Sequence, residues 1–411
     1  MFDVAAVRAD FPLLSDPANH DLIYLDNAAT THKPNRVIEA ISDCYRHYNA
    51  PVHRGLYPLA EEASKRYEQA RRRLANFIGS EQSEQLIFTR SATESINMVA
   101  QGWLANQLQE GDEVWVSRME HHANYLPWQR VCEQHGARLR VIELNPDGTL
   151  NPDASPDMYG PRSKLIAVGY VSNVLGVINP VQQMIHQART HGIAVLVDAT
   201  QAVGHIPVDV SELGCDFLAA PAHKMYGPTG IGLLYARTEH LQQMEPLLVG
   251  GGMVDQVNET TSIWAPYPEK FEAGSPNLAG ALGFAAAADY IDQLGIERSH
   301  QHVMALTRYA LEQLSSIEGL QIYGPKTLEH RSGIVAFNID PLHPHDVAQI
   351  CGEHNVAIRA GHHCCQPLMQ QLDVAATARV SFSIYNDYSD IDVLVNVLNK
   401  AREIFSSGNF L

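Results

Sequence analysis

The sequence is short of positive charge. Its 411 residues include 29 lysines and arginines against 46 aspartates and glutamates, which gives a net charge of −17. A surface this acidic disfavours binding to nucleic acids and to anionic membranes. The apolar runs fall far short of the roughly 20 residues that a membrane-spanning helix requires. The first ten residues also lack the basic-then-apolar order of a secretion signal. These absences predict a cytoplasmic protein with neither a nucleic-acid nor a membrane partner.

Cysteine is also scarce. The six cysteines are too few for a disulfide scaffold in a chain of this length. No two of them have the CxxC spacing of a structural zinc site. We therefore expect free thiols and no bound metal. Two of the cysteines, Cys364 and Cys365, are adjacent and follow a pair of histidines.

Apolar, β-rich segments alternate with helical segments between about residues 85 and 237. The segment 193–197 is apolar throughout, which is typical of a strand that is buried on both faces. Such an alternation predicts an α/β fold with a mostly parallel, seven-stranded sheet that is covered by helices. The predicted strands are 85–89, 113–117, 139–144, 165–170, 194–198, 217–220 and 230–236. The predicted helices between them include 91–108, 123–135 and 180–191.

The pattern changes beyond about residue 279. Long helical segments are followed by shorter strands and a last amphipathic helix, an order that predicts a smaller α+β domain at the C-terminal end. The expected division is a large domain over residues 21–285 and a small domain formed by residues 1–20 and 286–411. The segment 250–270 begins with three glycines and is expected to be a loop or a hairpin flap. The predicted helices of the small domain are 279–294, 299–317, 345–354 and 389–405, and its strands are 333–338, 356–359 and 378–384.

Lys224 follows one of the predicted buried strands. Most lysines are solvated surface residues, and this interpretation stays open for Lys224. However, open α/β sheets bind their ligands at the carboxyl ends of their strands. A lysine that is partly desolvated there has a lowered pKa, and its free amine can form a Schiff base with a carbonyl compound.

Asp198 ends the all-apolar strand, and a buried carboxylate needs a cationic or hydrogen-bonding partner. That partner is either a structural arginine or helix N-terminus, or the protonated ring nitrogen of a cofactor such as pyridoxal phosphate. The segment 89–97 likewise joins a strand to a helix. Ser91 and Glu94 fit a capping box there, but the same hydroxyl-rich helix N-terminus also fits a phosphate group.

Two further segments carry reactive side chains. His121, the first of two adjacent histidines after a predicted strand, can cap a helix or stack on a planar ligand. A metal site is disfavoured because the sequence offers no third ligand. Most free cysteines are inert and buried, but Cys364 lies in a turn bounded by glycine and proline, beside two histidines that could favour a thiolate. Arg359 and Arg379 can clamp a small carboxylate or form structural salt bridges.

Taken in order, these segments resemble one family, the cysteine desulfurases of the second group (the SufS/CsdA type) within the class V aminotransferases. The segment around Lys224 is similar to the family's cofactor-lysine signature, and the resemblance extends over nearly the whole chain. Pro221 departs from the family pattern, because the serine that often stands there donates to the cofactor phosphate and proline cannot. The other matching segments are 24–31, 52–55, 120–124, 271–277 and 359–367.

The resemblance implies the type I fold of pyridoxal-phosphate enzymes and a homodimer. Lys224 would carry the cofactor covalently, Asp198 would pair with the pyridine nitrogen, and Gln201 would contact the ring hydroxyl. His121 would stack on the ring. The remaining cofactor contacts would come from Asn173, Thr93, His223 and, in the neighbouring subunit, Ser275.

The activity that the resemblance implies is the conversion of L-cysteine to L-alanine, with the sulfur left as a persulfide on Cys364. Lys224 and His121 would be catalytic with it. The persulfide would pass to a SufE- or CsdE-like acceptor protein, for iron–sulfur cluster assembly or another sulfur-containing product. Two alternatives stay open: a lyase acting on L-selenocysteine, and a non-catalytic sulfur-assembly scaffold. The implied substrate contacts are Arg379, which would hold the carboxylate, and Arg359, Asn173 and Arg54.

The second cysteine of the adjacent pair calls for a separate prediction. Successive side chains of an extended segment point in different directions, so only one of the two thiols can face the cofactor. By its position in the family motif that thiol belongs to Cys364. We therefore expect Cys365 to be a small packing residue, the usual role of a free cysteine. The alternative, in which Cys365 relays sulfur outward from Cys364 by thiol exchange, stays open.

Overall fold

The computed structural model describes residues 2–152 and 155–406. The predicted domain limits at residues 1 and 411 lie outside these residues. No helix in the described part of the chain is long and apolar enough to cross a membrane. The strands are β1 (Ile23–Tyr24), β2 (Leu86–Thr89), β3 (Glu113–Ser117), β4 (Arg138–Ile142), β5 (Ser163–Gly169), β6 (Ala194–Asp198), β7 (Phe217–Pro221), β8 (Gly232–Ala236), β9 (Val254–Val257), β10 (Ser262–Trp264), β11 (Leu320–Tyr323), β12 (Ile334–Ile339), β13 (Val356–Ala357), β14 (Arg359–Gly361) and β15 (Thr377–Ser381). The α-helices are α1 (Val4–Ala9), α2 (Pro12–Ser15), α3 (Asn35–Asp43), α4 (Pro58–Phe77), α5 (Ala92–Met98), α6 (Leu126–His135), α7 (Val181–Thr190), α8 (Val210–Leu213), α9 (Thr238–Gln243), α10 (Leu278–Leu294), α11 (Ile296–Ser315), α12 (Pro344–Glu353), α13 (Gln366–Gln371) and α14 (Tyr388–Ser406).

The largest sheet in the described residues has seven strands in the order β2-β8-β7-β6-β5-β3-β4. Strand β8 is antiparallel to both of its neighbours, and the other pairs are parallel. Every residue of β6 is buried, because alternate side chains enter the hydrophobic cores on the two faces of the sheet. The predicted mostly parallel, seven-stranded sheet is confirmed, and the observed strand ends lie within two residues of the predicted ones.

Three helices pack together over one face of this sheet. The alanine-rich α10 contacts both α3 and α4. Gly283 of α10 allows the close approach to α3, since a Cβ atom there would lie 2.8 Å from Cγ1 of Ile41. The small side chains of α10 therefore bring α3 close to the large core.

The C-terminal part of the chain forms an antiparallel sheet in the order β11-β12-β15-β14, packed against α11, α12 and α14. Its core is separate from the two cores of the large sheet. This arrangement matches the predicted α+β domain. The predicted boundary at residues 285 and 286 falls inside the continuous helix α10, and the division into domains stays a prediction.

The topology brings several strand ends to one edge. In a parallel sheet the carboxyl ends of neighbouring strands meet, so β3, β5, β6 and β7 end side by side. In the small domain, the pairing of β14 with β15 places Arg359 directly opposite Arg379. The segment 250–270 contains the antiparallel pair β9 and β10, which agrees with the predicted hairpin.

Candidate active site

A cavity of about 310 Å³ lies at the carboxyl edge of the large sheet, between that sheet and the antiparallel C-terminal sheet. It is lined by the ends of β5, β6 and β7 and by side chains of the β14 and β15 region. The structure brings together here all of the predicted site residues except Arg54 and Ser275. The predicted residues that line the cavity are Thr93, His121, Asn173, Asp198, Gln201, His223, Lys224, Arg359, Cys364 and Arg379.

Lys224 follows β7 in a short turn whose backbone is firmly held. Its carbonyl oxygen accepts a hydrogen bond from Nε2 of His205 at 2.7 Å, and the His223 carbonyl accepts the Thr31 N–H at 3.0 Å. Burial, and then the positive charge of Arg379, lower the pKa of the Lys224 amine to about 8. The side chain is therefore not the solvated surface lysine of the alternative interpretation, and its neutral amine is accessible near neutral pH.

Asp198 is a buried carboxylate at the end of β6. Its Oδ1 accepts the backbone N–H of Thr200 at 3.0 Å. Among the described residues, no lysine, arginine or histidine forms an ion pair with it within 4.0 Å. Burial raises the pKa of Asp198, although its hydrogen bonds to Thr200 and the charge of Lys224 favour the ionised form. The cavity thus contains a buried carboxylate that forms no close ion pair with a described residue.

His121 presents a neutral ring to the cavity. Its Nδ1 accepts the backbone N–H of Ala123 at 3.1 Å, which leaves the proton on Nε2. Burial, and then the charge of Lys224, lower the pKa of His121 to about 4, so the imidazole is uncharged at neutral pH. A flat, neutral ring of this kind is suited to stacking on a planar ligand.

Glu120, to which the sequence pattern gave no role, supports this segment with its buried side chain. Its carboxylate accepts the side-chain amide of Asn124 at 2.6 Å and the backbone N–H of Gly169 at 2.9 Å. Burial raises the pKa of Glu120 to about 7. The available signal was an acidic residue three positions after the end of the wholly buried strand β3, where a buried carboxylate requires hydrogen-bond donors.

Arg359 and Arg379 converge on a shared carboxylate, Asp26, to which the sequence analysis gave no role. Nε and Nη2 of Arg359 bind Asp26 at 2.9–3.1 Å, and Nη2 of Arg379 binds it at 3.2 Å. Both arginines therefore form the structural salt bridges that were one of the two interpretations. Nη1 of Arg379 also donates to the carbonyl of Asn173 at 2.7 Å, but its buried Nε has no partner among the described residues. Arg379 also lines the cavity.

Cys364 lies at the rim of the cavity, in the turn between β14 and α13, and is exposed to solvent. Cys365 is fully buried, and its Sγ donates to the carbonyl of Glu120 at 3.2 Å. Burial raises the pKa of the Cys365 thiol well above its usual range. The two adjacent thiols thus have different environments, in agreement with the prediction that Cys365 packs. All six cysteines lie in the described residues and are free.

Arg54 and Ser275 do not reach this cavity within one chain. They line a second cavity of about 650 Å³ beside Gly251 and Gly252, next to the β9–β10 hairpin. The expected contact of Ser275 with the site of a neighbouring subunit, like the substrate contact of Arg54, stays a prediction.

A family model described as aminotransferase class V matches residues 23–394. The chain belongs to the class V aminotransferase family. A probable cysteine desulfurase from Halalkalibacterium halodurans is 47% identical to it over 400 residues, which cover 97% of this chain and 98% of that protein. A cysteine desulfurase from Klebsiella pneumoniae is 46% identical over 405 residues, which cover 98% of this chain and 99% of that protein.

Solved structures agree with this class V assignment. The apo cysteine desulfurase from Thermococcus onnurineus NA1 superposes with a TM-score of 0.93 at 39% identity, over 97% of this chain and 98% of that one. The Escherichia coli cysteine desulfurase CsdA, in its S-sulfonic acid form, gives a TM-score of 0.91 at 38% identity, over 98% and 99% of the two chains. The predicted type I fold and the resemblance to the second group of cysteine desulfurases are confirmed.

The cavity of this class V family member fits pyridoxal phosphate. The unpaired carboxylate of Asp198 requires a cation such as a protonated pyridine nitrogen. The Lys224 amine, with its lowered pKa, is suited to a covalent bond with an aldehyde. The neutral ring of His121 lines the same cavity, as a planar cofactor requires. Thr93 and His223 lie on the same lining and offer polar donors for a phosphate.

Proposed function

We propose that this chain is a pyridoxal-phosphate-dependent cysteine desulfurase, which converts L-cysteine to L-alanine and keeps the sulfur as a persulfide on Cys364. The observation that carries the proposal is the placement of an exposed thiol, Cys364, on the same cavity as the Lys224 amine and the Asp198 carboxylate. The high identity to cysteine desulfurases along the whole chain supports the choice of substrate.

The chain's own residues hold the cofactor in this proposal. Lys224 binds it covalently, Asp198 pairs with its ring nitrogen, and His121 covers its ring. When bound, pyridoxal phosphate supplies an electron sink that allows bonds at the substrate Cα and Cβ to break. The other proposed cofactor contacts are Gln201 at the ring hydroxyl, Thr93 and His223 at the phosphate, and Asn173 near the ring.

Arg379 binds the substrate carboxylate in this proposal. Its free Nε provides the donor, and Asp26 and the Asn173 carbonyl fix the orientation of the guanidinium group. Arg359 shares Asp26 and adds positive charge at the same rim of the cavity. Desolvation lowers the pKa of Arg379 to about 10, so the group stays charged at neutral pH.

Lys224 moves the proton at the substrate Cα. Displacement by the substrate amine frees Nζ, and because burial has lowered its pKa to about 8, Nζ accepts and returns a proton near neutral pH. No other lysine lines the described part of the cavity. Nζ of Lys224 therefore acts both as the attachment point and as the base.

Cys364 takes the sulfur. Its thiolate attacks the sulfur atom of the substrate, and a bond forms between the two sulfur atoms. The Cβ–S bond breaks, and its electron pair stays on the carbon side. That carbon gains a proton and leaves as the methyl group of alanine, while the sulfur remains as the Cys364 persulfide. The step is balanced without any external oxidant or reductant.

A protein acceptor is the expected destination of this sulfur. The turn that carries Cys364 has only the residues between Gly361 and Gln366, so the persulfide cannot travel far on its own chain. We therefore propose a SufE- or CsdE-like acceptor, iron–sulfur cluster assembly as the use of the sulfur, and a cytoplasmic location. The six free thiols support a reducing compartment.

A homodimer is part of the same proposal. The cavity with Arg54 and Ser275 lies apart from the Lys224 cavity, so these residues can serve it only in a second copy. Exposed apolar side chains lie close in sequence to this second cavity: Leu56, near Arg54, is 99% exposed, and Val249, near Gly251, is 67% exposed. Apolar surface of this kind is typical of an interface between subunits.

The function is tested by incubating the cofactor-loaded protein with L-cysteine. We expect alanine and sulfide in equal amounts when dithiothreitol is present, and a faster reaction when a SufE-like protein replaces it. A persulfide on Cys364 should be detectable by mass spectrometry before reductant is added. Pyruvate and ammonia as the products, or no consumption of cysteine, would contradict the proposal. If the rate with dithiothreitol equalled the best rate with any SufE-like protein, the proposed acceptor would be contradicted, but the desulfurase activity would not.

Replacement of Asp198 by asparagine should leave the cofactor bound but turnover lowered by about 100-fold or more, the loss typical of a removed electrostatic group. An amide cannot keep the ring nitrogen protonated, so the electron sink weakens. The measurements are the cofactor content and kcat of Asp198→Asn. Asp216→Asn is the matched control, because Asp216 also flanks a strand of the sheet but accepts the backbone N–H of Val195 away from the cavity. Near-normal turnover in Asp198→Asn would contradict the proposed pairing.

A further inference from the structure

Two histidines outside the proposed chemistry hold the turn that carries Cys364. Nδ1 of His362 accepts the backbone N–H of Cys364 at 3.2 Å, and Nε2 of His122 accepts the backbone N–H of Gln366 at 3.3 Å. Their ring centroids are 5.8 Å apart. We propose that His362 and His122 are positioning residues for sulfur transfer, which fix the Cys364 turn through these two ring-nitrogen acceptors. The inference rests on the proposed function, because it concerns how Cys364 meets the substrate sulfur.

The turn requires support because its backbone is strained. His363 and Cys364 are consecutive residues in the left-handed region, with φ of 51° and 55°. Side chains with a Cβ atom disfavour this region, and such a conformation persists only where surrounding contacts impose it. The contacts that fix the turn therefore also fix the direction of the Cys364 side chain.

Backbone and side-chain groups around the turn provide part of that support. The His122 N–H donates to the Cys364 carbonyl at 2.7 Å, and the Asn173 amide donates to the His363 carbonyl at 2.9 Å. These bonds bind the carbonyl oxygens of the turn. The N–H groups of Cys364 and Gln366 are bound by the two imidazoles instead. Loss of an imidazole acceptor therefore removes the hydrogen bond of the Cys364 N–H or of the Gln366 N–H.

The acceptor role makes a chemical demand on the two rings. A ring nitrogen accepts a hydrogen bond only when it carries no proton. Burial lowers the pKa of His122, which favours the neutral ring. The proposed role depends on the nitrogen lone pair and not on the flat ring. Substitutions that keep only the acceptor, or only the ring, can therefore tell the two apart.

Asparagine at position 362 would keep the acceptor, since its side-chain oxygen commonly binds the N–H two residues further along. Glutamine at position 122 extends an acceptor towards the place of Nε2. Phenylalanine at either position keeps a flat ring but has no acceptor. The chain also offers a matched control, because Nδ1 of His343 accepts the N–H of His345 at 3.2 Å in the same i to i+2 pattern. His343 caps the N-terminus of α12 rather than the turn that carries Cys364.

The experiment measures kcat and KM for L-cysteine, together with hydrogen–deuterium exchange of the peptide that spans Cys364 and Gln366, in the cofactor-loaded enzyme. We expect His362→Phe and His122→Phe to lower kcat roughly tenfold, since a displacement of about 1 Å can cost up to ~100-fold. KM should change little, because Arg379 and Asp26 are untouched, and exchange of the peptide should become faster. His362→Asn and His122→Gln should keep most of both properties, and His343→Phe should match the wild type.

Wild-type kcat and exchange in both phenylalanine variants would overturn the inference. Equal impairment in the asparagine and glutamine variants would overturn it as well, because the ring and not the acceptor would then matter. The same loss in His343→Phe would show a general loss of stability instead. If the wild type released no alanine from cysteine, the proposed function would fail. The exchange data would still decide whether the two histidines hold the turn.

Discussion

Replacement of Lys224 by alanine is expected to abolish the visible absorption band of the lysine-bound cofactor and to stop turnover. The side chain has two roles that no other group of the cavity shares: covalent attachment and proton transfer at the substrate Cα. Removal of a positioned base alone typically costs about 10²- to 10⁴-fold in rate. The loss of attachment adds to this, so activity should fall below detection in an alanine-release assay.

The attachment point can be identified directly. Borohydride reduction of the wild type should fix the cofactor on Lys224, and the variant should yield no modified lysine by peptide mass spectrometry. Lys33 is the natural competitor, because burial lowers its pKa to about 8 as well. However, its Nζ donates to the His223 carbonyl at 3.1 Å and it does not line the cavity. A reduced adduct on Lys33 in the variant, or a normal rate of alanine release, would refute the assignment.

The large sheet was predictable because its strands carry a strong local signal. Strands such as β6 are runs of apolar residues that are buried on both faces, so their composition alone identifies them. By contrast, β1 has two residues and exists only because Ile23 pairs with Val356, far along the chain. Helix α4 was not predicted, and its buried face relies on small side chains such as Ala60, Ala63 and Ala70. Such a face gives a weak hydrophobic pattern.

In the candidate site, too, some residues have a local sequence signal and others depend on tertiary contacts. Lys224, Asp198 and His121 stand at strand ends, and parallel strands necessarily bring those ends together. Asp26 was missed because its role depends on Arg359, which lies 333 positions away in the sequence. The pairing of β14 with β15 and the position of β1 create that contact, and neither has a local signature. Ion pairs that depend on tertiary contacts cannot be predicted from the spacing of residues in the sequence.

The adjacent cysteines should respond in opposite ways to substitution. Cys364→Ala is expected to lose desulfuration of L-cysteine, because no other thiol lines the described part of the cavity and the substrate sulfur then has no nucleophile. The loss should be at least about 100-fold, since nucleophile and base act as one unit. Cys365→Ala should keep most of the activity. Its Sγ is buried against the Glu120 carbonyl, and the raised pKa of the thiol disfavours the nucleophilic thiolate.

Cys365→Ala also serves as the matched control for Cys364→Ala, since the two variants remove the same atom from neighbouring positions. Truncation of a buried side chain to alanine costs stability, here by about 1 kcal/mol for the loss of one small buried group. Cys365→Ala should therefore unfold at a slightly lower temperature while its kcat stays near that of the wild type. Cys364→Ala should lose turnover but unfold at the temperature of the wild type, because its thiol is exposed. Mass spectrometry after a single turnover should find the persulfide on Cys364. A persulfide on Cys365, with Cys365→Ala as the inactive variant, would mean that the buried thiol is the nucleophile and that the turn opens during catalysis.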